Sequence, residues 1–281
     1  MTIETFRTEG ASLTLHLTGP DWDGTPAATL GNVSFKVPQA GEALLQQALA
    51  RLRDAGMNRV LGPMAGDTWH SYRFVSESDG TPAFLMEPVN RPHEPLIFAA
   101  AGFRTVSRYF SARMALDNYN STRLPAPTDF TVETWDGKDP DALFREVFKL
   151  SSLAFAQNAF FTPITKPAFL EMYKPVIPML KRELIFFARR PDRTLAGFLF
   201  AIPNYAEGLE TKTVILKTYA SFLPGAGRHM VHACHAAARA MGYETMIHAL
   251  IHDDNRSATR SRQEGGQVFR RYELLGLKWD V

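Results

Sequence analysis

Tyr219-Ala220-Ser221-Phe222-Leu223-Pro224-Gly225-Ala226-Gly227-Arg228-His229-Met230 is the stretch on which the reading of this chain turns. An apolar, β-branched run, Thr211–Ala220, leads into it, and a helical pattern, Arg228–Met241, follows. Two glycines flanking one alanine at a strand-to-helix junction leave backbone free for close approach. The first amides of the helix, with the positive end of its dipole, make a ready anion site. Arg228 adds charge at that end. No Gly-Lys-Ser/Thr follows, so this is not a Walker loop. Two readings stay open on these residues alone: a phosphate cradle or a plain tight turn.

Outward from this loop, Thr245–His252 reads as a strand, Ser257–Glu264 as a short helix and Gln267–Leu275 as a closing strand. Upstream lie a strand at Phe130–Trp135, helices at Asp141–Ala156 and Lys166–Leu180, and a hairpin of Leu184–Arg189 with Leu195–Ile202. The earlier part of the chain rhymes with this. Strands at Ser12–Leu17 and Ala28–Val37 precede a helix, Gly41–Ala55, that Gly56 stops. A strand at Arg59–Met64, an extended stretch at Ala83–Glu87, a helix at Glu94–Ala101 and a strand at Phe103–Met114 follow. The helix ends correspond as Arg53-Asp54-Ala55-Gly56 and Arg239-Ala240-Met241-Gly242, which points to tandem duplication of one α/β unit. The polar, proline-bearing stretch from Asp117 to Asp129 reads as a linker. The expected division is 1–115, linker 116–129, and 130–281.

With 281 residues, 45% apolar and 21% charged, the chain has the composition of a globular protein and room for two domains. Its net charge of +2 does not point to nucleic acid or an anionic membrane as a partner, while the total leaves a local basic groove for a phosphorylated small molecule open. One cysteine, Cys234, excludes an intrachain disulfide and four-cysteine zinc sites. Met1–Gly10 lacks the apolar core of a signal peptide, and Leu96–Phe103 is too short to span a bilayer. The expected location is the cytoplasm, and the expected assembly a monomer or homodimer.

Pro224–Gly242 resembles the acetyl-CoA loop and helix of the GCN5-related N-acetyltransferases (GNAT), whose motif is Gln/Arg-x-x-Gly-x-Gly/Ala before a helix. Gly225 and Gly227 match; Phe222 replaces the Gln/Arg. The family then has a strand and an Asn, with Ala three residues on and Gly eleven on. Asn255, Ala258 and Gly266 fit that spacing. The first part resembles the family more faintly. Lys36-Val37-Pro38-Gln39-Ala40-Gly41 occupies its loop position, with Gln39 where the first glycine belongs, and Ala101-Gly102-Phe103 precedes its closing strand. The resemblance implies an α/β (α+β) chain of two tandem modules, each a mixed, mostly antiparallel sheet flanked by helices. The first would be a degenerate partner and the second the CoA binder.

What the resemblance implies for function is transfer of an acyl group, most simply acetyl from acetyl-CoA, to the amine of a small molecule by direct attack. The cofactor contacts would be Tyr219, Ala220 and Ser221 on the strand, Gly225, Ala226, Gly227, Arg228, His229 and Met230 on the loop and helix, and Asn255. A backbone amide within Tyr219–Ser221 would polarise the acyl carbonyl. The family's proton-donating Tyr stands seven residues after the Asn; here that position is Arg262, which cannot serve as an acid at neutral pH. Arg262 remains a candidate for steadying the thiolate or a phosphate. His248 and His252, on one face of the predicted strand, are candidate bases, each with a plain structural alternative. His232 and His235 on the cofactor helix lack a carboxylate close in sequence, and no metal is expected. Gly66–Arg73, dense in polar and aromatic side chains, reads either as a site loop or as a self-capping one. Phe160 and Phe161 read as an acceptor wall or as core. A catalytically silent CoA-binding protein is the alternative to an enzyme.

Overall fold

In the computed structural model the chain is described over residues 2–117, 124 and 129–279. The sequence-predicted linker falls almost wholly outside those residues. Two compact units emerge: Met1–Tyr109 with Asn158–Thr162 and Arg270–Val281, and Phe110–Gln157 with Pro163–Phe269. This differs from the division at 1–115 and 130–281. The final strand and the segment around Phe160 and Phe161 belong to the first unit, because strand pairing and aromatic packing, not sequence distance, decide membership.

The first unit contains β1 (Ile3–Thr8), β2 (Ala11–His16), β3 (Ala28–Phe35), α1 (Pro38–Asp54), β4 (Arg59–Gly62), β5 (Phe74–Ser78), α2 (His93–Ala100) and the first half of β6 (Arg104–Ala115). Its sheet runs β1-β2-β3-β4, and β4 then pairs antiparallel with the last strand of the chain, Gln267–Lys278, through Leu275↔Gly62 to Lys278↔Arg59. Leu44, Leu45, Ala48, Leu49 and Leu52, at helical spacing, face Leu13, Leu15 and Leu30 of the sheet. Phe98 stacks on Phe35 and meets Phe74 and Phe103 edge-on or tilted.

In the second unit, β7 (Thr131–Thr134), α3 (Pro140–Ala154), α4 (Lys166–Tyr173), β8 (Ile185–Arg189), β9 (Leu195–Pro203), β10 (Thr213–Ser221), α5 (Ala226–Ala240), β11 (Thr245–His252) and α6 (Arg256–Gln263) follow in order; the strand at Gln267–Lys278 is β12. The sheet order is β6-β11-β10-β9-β8-β7; β10, β9, β8 and β7 pair antiparallel in turn, and β10 pairs with β11 in parallel. Alternation divides its faces. Leu199, Ala201, Val214 and Leu216 pack with Met230, Val231, Cys234 and Ala238 of α5. Phe200, one residue out of phase, meets Phe144 of α3 on the other face.

Departures from the sequence reading have local causes. The helix expected over Lys166–Leu180 stops at Tyr173 and tightens into a 3-10 turn, Lys174–Met179, because Pro175 and Pro178 remove amide donors. The extended stretch expected at Ala83–Glu87 is a turn, and the strand of that region is β5. No helix among the described residues is long and apolar enough to cross a membrane.

Candidate functional site

β10 and β11 pair in parallel from Thr213↔Thr245 to Leu216↔His248, and the ladder ends there, although β10 continues to Ser221 and β11 to His252. One residue further, Lys217 is the extra residue of a bulge against β9. A bulge increases twist and bends its strand, so the two strand ends splay. On β11, Leu250 takes φ +56, rare for a branched apolar residue. That twist breaks the alternation that would place His248 and His252 on one face.

At the mouth of the splay α5 begins. Gly225, its N-cap, has φ +82 and no side-chain cap. Left-handed backbone favours glycine there. The Ala226 amide bonds the Leu223 carbonyl and that of His229 bonds Gly225. The Gly227 and Arg228 amides lie in the first turn, where no carbonyl of the helix can reach them. A Cβ on Gly227 would sit 3.2 Å from Arg260 Nη1 and 3.4 Å from the Tyr219 ring. The glycine therefore lets Arg260 and the Tyr219 ring pack close against the first turn of α5, where even a methyl group would be tight.

The predicted cofactor residues divide. Tyr219, Gly225, Gly227 and Asn255 come together around this opening. Asn255 caps α6, accepting from the Ser257 amide and hydroxyl, and Ser257 Oγ receives the Tyr219 hydroxyl at 2.9 Å. Ser221 Oγ is occupied locally, donating to the Leu223 carbonyl. Arg228 is exposed at the helix start, and His229 packs edge-on against Phe130. Ala220 and Ala226 are buried. Met230 is fully buried in the core, so its side chain is no ligand contact. Arg262, the candidate for steadying the thiolate or a phosphate, is exposed with its guanidinium 5.9 Å from the Phe110 ring. Arg260, two residues earlier and so rotated around α6, faces Tyr219 and Gly227 instead. Sequence reading missed Arg260 because the family spacing drew attention to position 262.

Neither candidate histidine is presented as an accessible base. His248 is buried between α5 and α6; Nδ1 lies 2.8 Å from Ser261 Oγ, and burial pushes its pKa down to about 4. His252 Nδ1 accepts the Asp254 amide, which ties up that lone pair and leaves the proton on Nε2 in the neutral ring. His235 of α5 joins His248, with Nε2 atoms 3.4 Å apart and rings nearly coplanar. Burial, with the neighbouring His248 and His232, lowers the His235 pKa to about 3. Glu264 Oε2 stands 3.8 Å from His248 Nε2. Burial raises its pKa to about 7, against the pull of Arg260 and Arg228. With both imidazoles held neutral, this approach is not an ion pair.

The corresponding place in the first unit is closed differently. The parallel ladder is two pairs long, Ala28↔Val60 and Thr29↔Leu61. α1 starts at Pro38 with Val37 as N-cap in extended conformation, so Gln39 is already helical and no left-handed residue opens the loop. A Cβ on Gly41 would lie 2.4 Å from Phe35 Cγ, so this glycine serves packing. The Phe35 amide donates to buried Glu94 at 2.7 Å, and the Phe35 carbonyl meets His93 Nε2 at 2.6 Å.

Gly66–Arg73 is a self-capping loop: Asp67 accepts from the amides of Trp69 and His70 and bonds His70 Nδ1 at 2.8 Å. Phe160 and Phe161 pack edge-on against Trp22 and Trp69 within the first unit.

No protein-family model matches the chain, and no curated protein matches it in sequence. Solved structures share its fold. A GCN5-related N-acetyltransferase from Sphaerobacter thermophilus aligns over 96% of this chain and 80% of its own at TM-score 0.55 and 13% identity. A tandem GNAT protein from the clavulanic acid biosynthesis pathway aligns over 99% and 83% at TM-score 0.54 and 14% identity. A probable N-acyltransferase from Enterococcus faecalis V583 aligns over 95% and 58% at TM-score 0.55 and 8% identity. The chain has the GNAT fold, in tandem form.

Proposed function

We propose that this chain is an acyl-CoA-dependent N-acyltransferase whose second unit binds acetyl-CoA and passes the acetyl group to the amine of a small molecule. The observation that carries the reading is the splay of β10 from β11 after Leu216↔His248, set against a glycine-started, side-chain-uncapped helix. In this reading the pyrophosphate lies on the first-turn amides of α5, with Arg228 and Arg260 as counter-charges. Alternate amides of β10 beyond Lys217 face the open side, where one can polarise the acyl carbonyl. Asn255 acts through Ser257, holding it against the Tyr219 hydroxyl.

Direct attack forms the amide bond and breaks the thioester bond; the amine gives up one proton and the leaving thiolate gains one. Because His248 is buried and the His252 Nδ1 lone pair is engaged, the acceptor enters as the free amine and solvent takes its proton. The contribution of the protein is positioning and carbonyl polarisation. The rate should then follow the titration of the acceptor amine itself. Arg260 takes the cationic role that the family spacing assigned to Arg262.

We assign a single CoA site per chain, since in the first unit Glu94 and His93 already bond the end of β3. The same shortage of accessible acid and base favours the second reading, CoA binding without turnover. Calorimetric titration with acetyl-CoA, followed by thiol release over a panel of amines, tests both. One site, lost in Gly227→Glu, supports the assignment; binding undiminished in that variant overturns it. Binding with no thiol release from any amine selects the silent reading.

A further inference from the structure

We infer that His235, His248 and Glu264 form a three-ligand site for a zinc ion, joining α5, β11 and the C-cap of α6. The inference rests on these three side chains and not on acyl transfer.

The donor atoms, one from each residue, all lie within 4.8 Å of one another. His235 Nε2 and His248 Nε2 are 3.4 Å apart, and His248 Nε2 and Glu264 Oε2 3.8 Å. Tetrahedral zinc with bonds of roughly 2.0–2.2 Å sets its ligands about 3.4 Å from each other. The two nitrogens already stand at that edge length, and the carboxylate, 3.8 Å from His248 Nε2 and within 4.8 Å of the His235 donor atom, has to close in on both. The nitrogen pair is a hydrogen bond at the long end of the range, and the 3.8 Å approach of Glu264 is beyond hydrogen-bond reach.

Orientation agrees with the distances. His248 Nδ1 lies 2.8 Å from Ser261 Oγ, so the ring can give its Nδ1 proton to the hydroxyl and aim the Nε2 lone pair at His235 and Glu264. A partner on the other ring nitrogen is the outer arrangement that metal-binding histidines use. The ligand set is also chemically suited: two imidazoles and a carboxylate are zinc donors, and three of them leave one tetrahedral position for water. The histidines are buried and the Glu264 side chain is 14% exposed, which excludes most competing water while leaving a route in beside the carboxylate.

The test uses the untagged full chain, stripped with a chelator and titrated with cobalt(II) chloride. The expected result is one cobalt per chain with the intense visible bands of a tetrahedral ion, displaced by zinc. Glu264→Gln, which keeps shape and burial, should abolish the bands or weaken cobalt binding by at least tenfold. Ser261→Ala, which leaves all three ligands in place, should weaken it roughly 10–100-fold. Absence of tetrahedral bands in the stripped parent overturns the inference and leaves a plain histidine pair. Bands of undiminished strength and affinity in Glu264→Gln also overturn it, since they place the ion elsewhere.

Discussion

Arg260 Nη1 donates to the Tyr219 hydroxyl at 3.0 Å, and that hydroxyl bonds Ser257, which Asn255 holds in turn. A charged side chain of α6 is thereby fixed over the loop that opens α5. Tyr219→Phe keeps the ring under Gly227 and removes the hydroxyl from this chain. The variant should lose about 1 kcal/mol in urea unfolding. Its acetyl-CoA affinity should fall with it, because Arg260 loses its anchor. Arg260→Gln should weaken binding more at low salt than at high salt. Salt-independent loss would remove Arg260 from phosphate contact.

Gly225 has open space where a Cβ would go but a φ of +82. Gly225→Ala should therefore cost about 1–2 kcal/mol through backbone conformation alone. Gly225→Asn should recover part of that, since Asn tolerates the left-handed region. Equal stability of all three proteins in denaturant would show that the loop relaxes to another conformation.

Gly41 is the opposite case. Its helical backbone tolerates any residue, but a Cβ meets Phe35 Cγ at 2.4 Å in the core. Gly41→Ala should destabilise by about 1–3 kcal/mol through overpacking. Acetyl-CoA stoichiometry should stay at one per chain. A stoichiometry of two in the parent would place a second site in the first unit.

The strand–loop–helix pattern of each unit, the Gly-stopped helices and the Gly225/Gly227 junction are all legible in the sequence, because each depends on neighbours in the chain. The membership of β12 is not, since its partners Arg59–Gly62 lie about three quarters of the chain away. Nor is the phase of α6. One turn holds fewer than four residues, so a family spacing that names Arg262 leaves Arg260 on another face. The His235–His248–Glu264 cluster gathers one residue from each of three elements, and no spacing announces it. Only the burial of a histidine pattern on α5 hints at it.

Asp67 and His70 give a pH signature in the first unit. The hydrogen bond and charge of Asp67 outweigh partial burial and raise the His70 pKa above 6.5. Burial alone would raise the Asp67 carboxyl, but the His70 contact and two amides hold it below 3.8. A raised histidine stabilises most below its unfolded pKa and loses that as pH rises through the folded one. A lowered aspartate stabilises above its unfolded pKa and loses that as pH falls through the folded one. The pair is thus complete between about pH 4 and 6.5. An NMR titration should place the His70 midpoint above 6.5, and Asp67→Asn should bring it down. Burial already lowers His16, and losing the Asp67 charge should lower it further. An unmoved His70 midpoint in Asp67→Asn would dissolve the pair.

The assignment of Arg270–Val281 to the first unit has a consequence for how the protein is made. As the chain leaves the ribosome, β4, which ends at Gly62, waits for β12 until synthesis has reached Gln267 and beyond. The amino-terminal sheet must pass that interval with one edge unpaired, the condition under which a nascent chain most needs a chaperone.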